Sequence, residues 1–126
     1  MRACDIGHSG DVQAACASHA AMTSSPTGFL HASGVLQDAL LGNQTLSGIR
    51  TVLAAKASGA QTLMHALQRL PLGFTTLFSS VAGLLGSAGQ GNYAAANAIL
   101  DSMAATSCLQ VWGATGGFDC GADQLT

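Results

Sequence analysis

The sequence predicts an α/β fold, a parallel sheet covered by crossover helices. Three observations carry that expectation. Short apolar runs of strand length alternate with stretches of helical periodicity. Ile49, Leu53, Lys56, Ala60, Leu63, Leu67 and Leu70 recur at intervals of 4, 3, 4, 3, 4 and 3, which is one face of a long helix. The strand runs end in small turns, Ser33-Gly34, Ser79-Ser80 and Trp112-Gly113, at the carboxyl ends where such sheets carry their sites.

Taken in order, Arg2 to Ile6 reads as the end of a strand, and Gly7 to Gly10 as a polar turn. Asp11 is the expected N-cap of a helix through Val12, Ala15, Cys16, His19 and Ala20. Ser24, Ser25, Pro26 and Thr27 break it, and Gly28 to Ala32 forms a short strand. A loop through Gln37 and Asp38 leads to a second cap region at Asn43-Gln44-Thr45. The long helix then runs from about Leu46 to Leu70, where Pro71 and Gly73 stop it. Phe74 to Phe78 is a continuous apolar run suited to a strand buried on both faces. Val81 to Gly91 is rich in glycine and reads as a loop, followed by a helix from about Asn92 to Ala105 and a last strand from Leu109 to Trp112.

A chain of 126 residues holds one domain. Its hydrophobic fraction is 48% and its charged fraction only 8%, which suits a piece packed against other protein. A net charge of -2 with four scattered basic residues offers no footprint for nucleic acid. No apolar run reaches the roughly 18 residues of a membrane span and no signal peptide opens the chain, so the cytoplasm is the expected location. Cys4, Cys16, Cys108 and Cys120 form no C-x-x-C pair and read as ordinary thiols. His8, His19, His31 and His65 share no spacing and read as incidental; no metal site is expected.

Lys56 is the only lysine and Tyr93 the only tyrosine. A cation on an apolar stripe needs a reason, and Tyr93 opens a helix just past a glycine-rich stretch with Asn97 one turn on. Each also has an ordinary reading. Lys56 could keep its head in water above an apolar stem, Tyr93 could pack, Asn97 could be a satisfied buried amide. Ser79 and Ser80 could simply end a strand.

The run Phe78-Ser-Ser-Val-Ala-Gly-Leu-Leu-Gly-Ser-Ala-Gly-Gln-Gly-Asn-Tyr-Ala-Ala-Ala-Asn-Ala-Ile-Leu-Asp101 closely resembles the active-site stretch of ketoreductase domains of modular polyketide synthases. These belong to the short-chain dehydrogenase/reductase superfamily. The resemblance continues upstream through His31-Ala-Ser-Gly-Val-Leu-Gln-Asp-Ala-Leu-Leu41 and Val52-Leu-Ala-Ala-Lys-Ala-Ser-Gly59 and covers nearly the whole chain. It implies a Rossmann-like sheet, and it places the catalytic serine on Ser80, the tyrosine on Tyr93, the asparagine on Asn97 and the lysine on Lys56. In most of the superfamily the lysine follows the tyrosine by four residues; here Asn97 stands there and the lysine comes from the preceding helix, as in the polyketide ketoreductases. The implied reaction is NADPH-dependent reduction of a β-keto group on an acyl chain tethered to an acyl carrier protein, beside other synthase domains.

Chemistry supports those roles. Ketone reduction needs hydride at carbon and a proton at the developing alkoxide. A phenol with a pKa of about 10 is a reluctant partner, and a nearby ammonium favours its ionised form. Ser80 would polarise the carbonyl, and Asn97 would hold Lys56 or a water that resupplies the proton. The resemblance further implies cofactor contacts from Asp5, beside the adenine, from Ala32 and Gly34 along the nucleotide, and from Lys56 and Tyr93. Leu36-Gln37-Asp38 resembles the Leu-Asp-Asp signature of reductases giving the D-configured, B-type alcohol. Leu85 stands where the opposite type has tryptophan. Asp38, Leu85 and Gln90 are thus the expected substrate-side residues.

The family's fold opens with a strand and a glycine-rich, phosphate-binding turn, and the sequence read here begins past them. The expectation is a partial reductase domain over residues 1–126, with a complete tetrad but no micromolar affinity for NADPH by itself. Two other readings stay open: a non-catalytic piece packing against a partner synthase domain, and a reductase of a free small molecule.

Overall fold

A computed structural model describes residues 4–20, 28–67, 72–107 and 110–112. Helix α1 spans Ser9–Ala20, β1 Gly28–His31, α2 Leu46–Leu53 and α3 Gly59–Leu67. Strand β2 spans Phe74–Phe78, the short α4 Ala82–Leu85, α5 Gly91–Ser107 and β3 Gln110–Trp112. The sheet has order β1-β2-β3 and both pairings are parallel, His31 lying opposite Leu77 and Phe78 opposite Trp112. β1 and β2 are each followed by a helical crossover to the next parallel strand, so the α/β expectation holds. No helix among the described residues is long and apolar enough to cross a membrane.

The core lies where α3 and α5 meet the sheet. Ala60, Leu77, Leu100 and Ala104 form its buried cluster, with Phe29, Met64 and Met103 packed against it. Leu77 and Leu100 are fully buried, each contributing about 1.5–3 kcal/mol of hydrophobic stabilisation. Thr45 caps α2, its hydroxyl oxygen accepting from the Gly48 amide at 3.1 Å.

Several local expectations are corrected. Cys4 to Ile6 form no strand. Asp11 is not the cap of α1, because that helix starts two residues earlier; its carboxylate turns back to the Asp5 amide and the His8 ring, each at 3.2 Å. Strand β2 is covered on both faces at its middle, where the neighbours Thr76 and Leu77 are both buried, and only its first residue, Phe74, is exposed. The stretch from Val81 to Gly91 contains α4 rather than loop alone. Cys108, Cys120 and Gly113 lie outside the described residues; Cys4 and Cys16 are free thiols.

The long helix is also interrupted. Ala54–Ser58 forms one π-helical turn between α2 and α3. Its extra residue shifts the buried face, so that Val52 is buried instead of Leu53, and Lys56, Ala57 and Ala60 follow it inward. Gly59 closes the turn where a Cβ would meet the Ala54 carbonyl at 3.1 Å and the Ile6 side chain, on the turn before α1, at 3.0 Å, so a larger residue would crowd both.

Past α4 the chain reverses at Gly86, whose φ of 72° and ψ of 171° fall in a region essentially reserved for glycine. Nothing crowds a Cβ there, so Gly86→Ala isolates the backbone effect. It is expected to destabilise the fold by about 1–3 kcal/mol, read as a lower midpoint in chemical denaturation with an unchanged slope.

Candidate functional site

The site forms at the carboxyl ends of β1 and β2, where the chain leaves the sheet into polar turns. Lys56 reaches it from the π-turn. The residue is only 4% exposed, and its Nζ donates to the Phe78 carbonyl at 2.7 Å. The same ammonium lies over the Tyr93 ring, 5.4 Å from the centroid, within range of cation–π attraction. No carboxylate pairs with it among the described residues. Burial pushes its pKa below the ordinary lysine range, against the opposing pull of the Asp101 carboxylate.

Tyr93 is half-buried in the first turn of α5. Its amide donates to the Asn92 side-chain oxygen at 2.7 Å, which holds the helix start in place. One turn on, Asn97 is fully buried, and its Nδ2 donates to the Tyr93 carbonyl at 2.8 Å. The Asn97 amide nitrogen is therefore committed to the backbone, and Lys56 bonds Phe78 instead; a direct Asn97–Lys56 bond is not formed. Asn97 Oδ1 is left without a partner among the described residues. A buried carbonyl oxygen in that state costs about 1–3 kcal/mol unless a donor is brought to it.

Ser79 and Ser80 follow Phe78 directly. Ser79 Oγ lies 3.5 Å from the Asn97 carbonyl, a contact suited to a turn former. Ser80 Oγ accepts from the Ala82 amide at 3.3 Å as α4 begins, which leaves its O–H proton available to donate. The structure thus links Lys56 with Tyr93, Tyr93 with Asn97, and Lys56 and Asn97 with Phe78 and Ser79, next to Ser80.

The remaining expected residues fall in three places. Ala32 and Gly34 are exposed just beyond β1. A Cβ at Gly34 would sit 3.6 Å from Lys56 Cε, so glycine keeps the flank of the ammonium open. Asp5 lies on the turn before α1, its carboxylate accepting from the Gly7 amide at 2.9 Å. Leu85 stands on α4 and is 80% exposed.

Asp38 and Gln90 meet directly. Gln90 Nε2 donates to Asp38 Oδ2 at 3.0 Å, the Ala39 amide donates to the Gly89 carbonyl at 2.8 Å, and Asn92 Nδ2 donates to the Gln37 carbonyl at 2.8 Å. These bonds join residues 37–39 to residues 89–92.

One residue was missed. His31, read as incidental, is 1% exposed at the end of β1, and its Nε2 lies 2.9 Å from the Lys56 carbonyl. Its burial lowers its pKa, the hydrogen bond to Lys56 opposes that shift, and the Lys56 charge adds to it. No spacing rule exposes a contact spanning 25 residues.

The KR domain family profile matches residues 1–116. The chain is 51% identical over 78 residues to polyketide synthase GfsA of Streptomyces halstedii, covering 62% of this chain and 1% of that protein. Polyketide synthase GfsB of the same organism is 46% identical over 104 residues, covering 82% of this chain and 2% of that protein. The crystal structure of an N-terminal ketoreductase from the macrolactin assembly line superposes with a TM-score of 0.80 at 27% identity, covering 89% of this chain and 24% of that one. The chain thus spans a small part of each relative. The parallel sheet with crossover helices agrees with these matches, and the chain belongs to the ketoreductase domain family of modular polyketide synthases, with their short-chain dehydrogenase/reductase fold.

Proposed function

We propose that this chain carries the proton-delivering half of a β-ketoacyl reductase site, acting on a β-keto group tethered to an acyl carrier protein within a polyketide synthase. The observation that carries the reading is the buried Lys56 ammonium, without a carboxylate partner among the described residues and held on the Phe78 carbonyl and over the Tyr93 ring. A cation in that setting has a high cost unless negative charge develops beside it.

In this reading the substrate ketone accepts a hydrogen bond from Ser80, whose own oxygen is steadied by the Ala82 amide. Tyr93 gives its phenolic proton to the oxygen as it becomes an alkoxide, and Lys56 stabilises the phenolate left behind. Asn97 Oδ1, buried and without a donor among the described residues, holds the water that returns the proton to Tyr93. The residues that would hold a nucleotide cofactor are Asp5 on its polar turn, the exposed Ala32, Gly34 with its open flank, Lys56 and Tyr93. NADPH bound there supplies the hydride. Asp38 and Gln90, joined at 3.0 Å, together with Leu85, set the B-type hand of the alcohol.

A chimera tests this, with residues 4–112 replacing the matching stretch of the macrolactin ketoreductase. It is expected to oxidise NADPH in the presence of a 3-oxoacyl thioester and to yield the D-configured alcohol on chiral chromatography. A folded chimera that binds NADPH without turnover would give the place to the non-catalytic reading.

A further inference from the structure

Lys56 is held at two points by neighbouring strands. Strand β2 holds its ammonium through the Phe78 carbonyl at 2.7 Å, and β1 holds its main-chain carbonyl through His31 Nε2 at 2.9 Å. His31 pairs with Leu77 in the parallel register, so the two grips stand one residue apart on adjacent strands. We infer that His31 is a positioning residue for Lys56, fixing its carbonyl in the π-turn and so directing its ammonium to the Phe78 carbonyl and the Tyr93 ring. The role matters to catalysis only if the reductase reading above is right; the contact itself does not depend on it.

A carbonyl oxygen only accepts, so His31 Nε2 must carry the proton, which leaves Nδ1 bare. Nδ1 has no partner among the described residues. A leucine would fill this place without burying a polar ring, so packing by itself gives no reason for a histidine. The π-turn supplies one. The Gly59 amide is shared between the Ala54 and Lys56 carbonyls, so it is only a divided donor to the Lys56 carbonyl. His31 brings the second. Without it the turn can relax to ordinary α-helical bonding, which rotates the residues around it by about 100°, one residue's share of the helical circle. Lys56 would then leave the Tyr93 ring.

Because Lys56 is the only lysine, a chain labelled with ε-13C-lysine gives one side-chain signal. In the wild-type full chain that signal is expected to be displaced by the Tyr93 ring current. In His31→Leu it should move to the position of an exposed lysine, and in His31→Gln, whose Nε2 can take the place of the imidazole donor, it should return. In the chimera, His31→Leu should lower kcat by about 10²-fold with KM little changed, and His31→Gln should recover most of that loss. An unmoved Lys56 signal in His31→Leu overturns the inference, as does a His31→Gln variant as impaired as His31→Leu. If the leucine variant does not fold, His31→Gln decides: a Lys56 signal at the wild-type position supports the role, and a displaced one refutes it. An inactive wild-type chimera would count against the reductase reading alone, since the lysine signal would still report on His31.

Discussion

Replacing Tyr93 by phenylalanine lowers ketone reduction in the chimera by about 10²–10⁴-fold, the usual worth of a positioned proton donor. The substitution is clean because the structural contacts of Tyr93 do not use its hydroxyl. The Asn92 side chain holds its amide, Asn97 holds its carbonyl, and Lys56 lies over the ring. Phenylalanine keeps all three. The melting temperature of the variant should therefore match the wild type while kcat/KM collapses. A variant turning over at the wild-type rate would show that another group delivers the proton.

Lys56→Met gives the second large effect and separates catalysis from stability. Methionine matches the length and apolar stem of lysine but removes the charge, so the phenolate loses its stabilising partner and reduction falls by about 10²–10³-fold. Stability should hold or rise, because a buried cation with no carboxylate partner among the described residues is replaced by a residue at home in the core. The pH dependence follows from the same burial. Folding lowers the Lys56 pKa, so between its folded value and the ordinary lysine value of about 10.4 the unfolded chain binds more protons. Stability therefore rises with pH across that window and is lost again as pH falls through the folded value. Lys56→Met should flatten that rise, measured as denaturation midpoints through the alkaline range. A slope retained in the variant would assign it to another group.

The alternation of strands and helices was legible because apolar periodicity is imposed by burial on every turn and every pleat. Lys56 was legible for the same reason, since a single cation stands out on an apolar stripe. The π-turn was not. An i→i+5 bond has no side-chain signature, and its extra residue moved the buried position from Leu53 to Val52. Helix α4 was hidden by Gly83 and Gly86, read as loop formers, although only Gly86 needs its positive φ. Asp11 misled because acidic residues suit both the cap and the first turn of a helix, and here it lies in the turn. His31 was invisible for a different reason: its partner is a backbone carbonyl brought to it by the crossover, and backbone atoms leave no mark on a sequence pattern.

The bonds between residues 37–39 and 89–92 join segments that stand 52 residues apart at Asp38 and Gln90. With three fastenings across so few residues, the two loops behave as a single stiff panel beside Tyr93. In the reductase reading proposed above, an acyl chain that presses on one loop would displace both, and the panel would stay fastened or let go in one cooperative event. Asp38 and Gln90 therefore cannot be tuned one at a time: exchanging either alone leaves the other without its partner, and any redesign of this wall has to treat the two loops as one inherited unit.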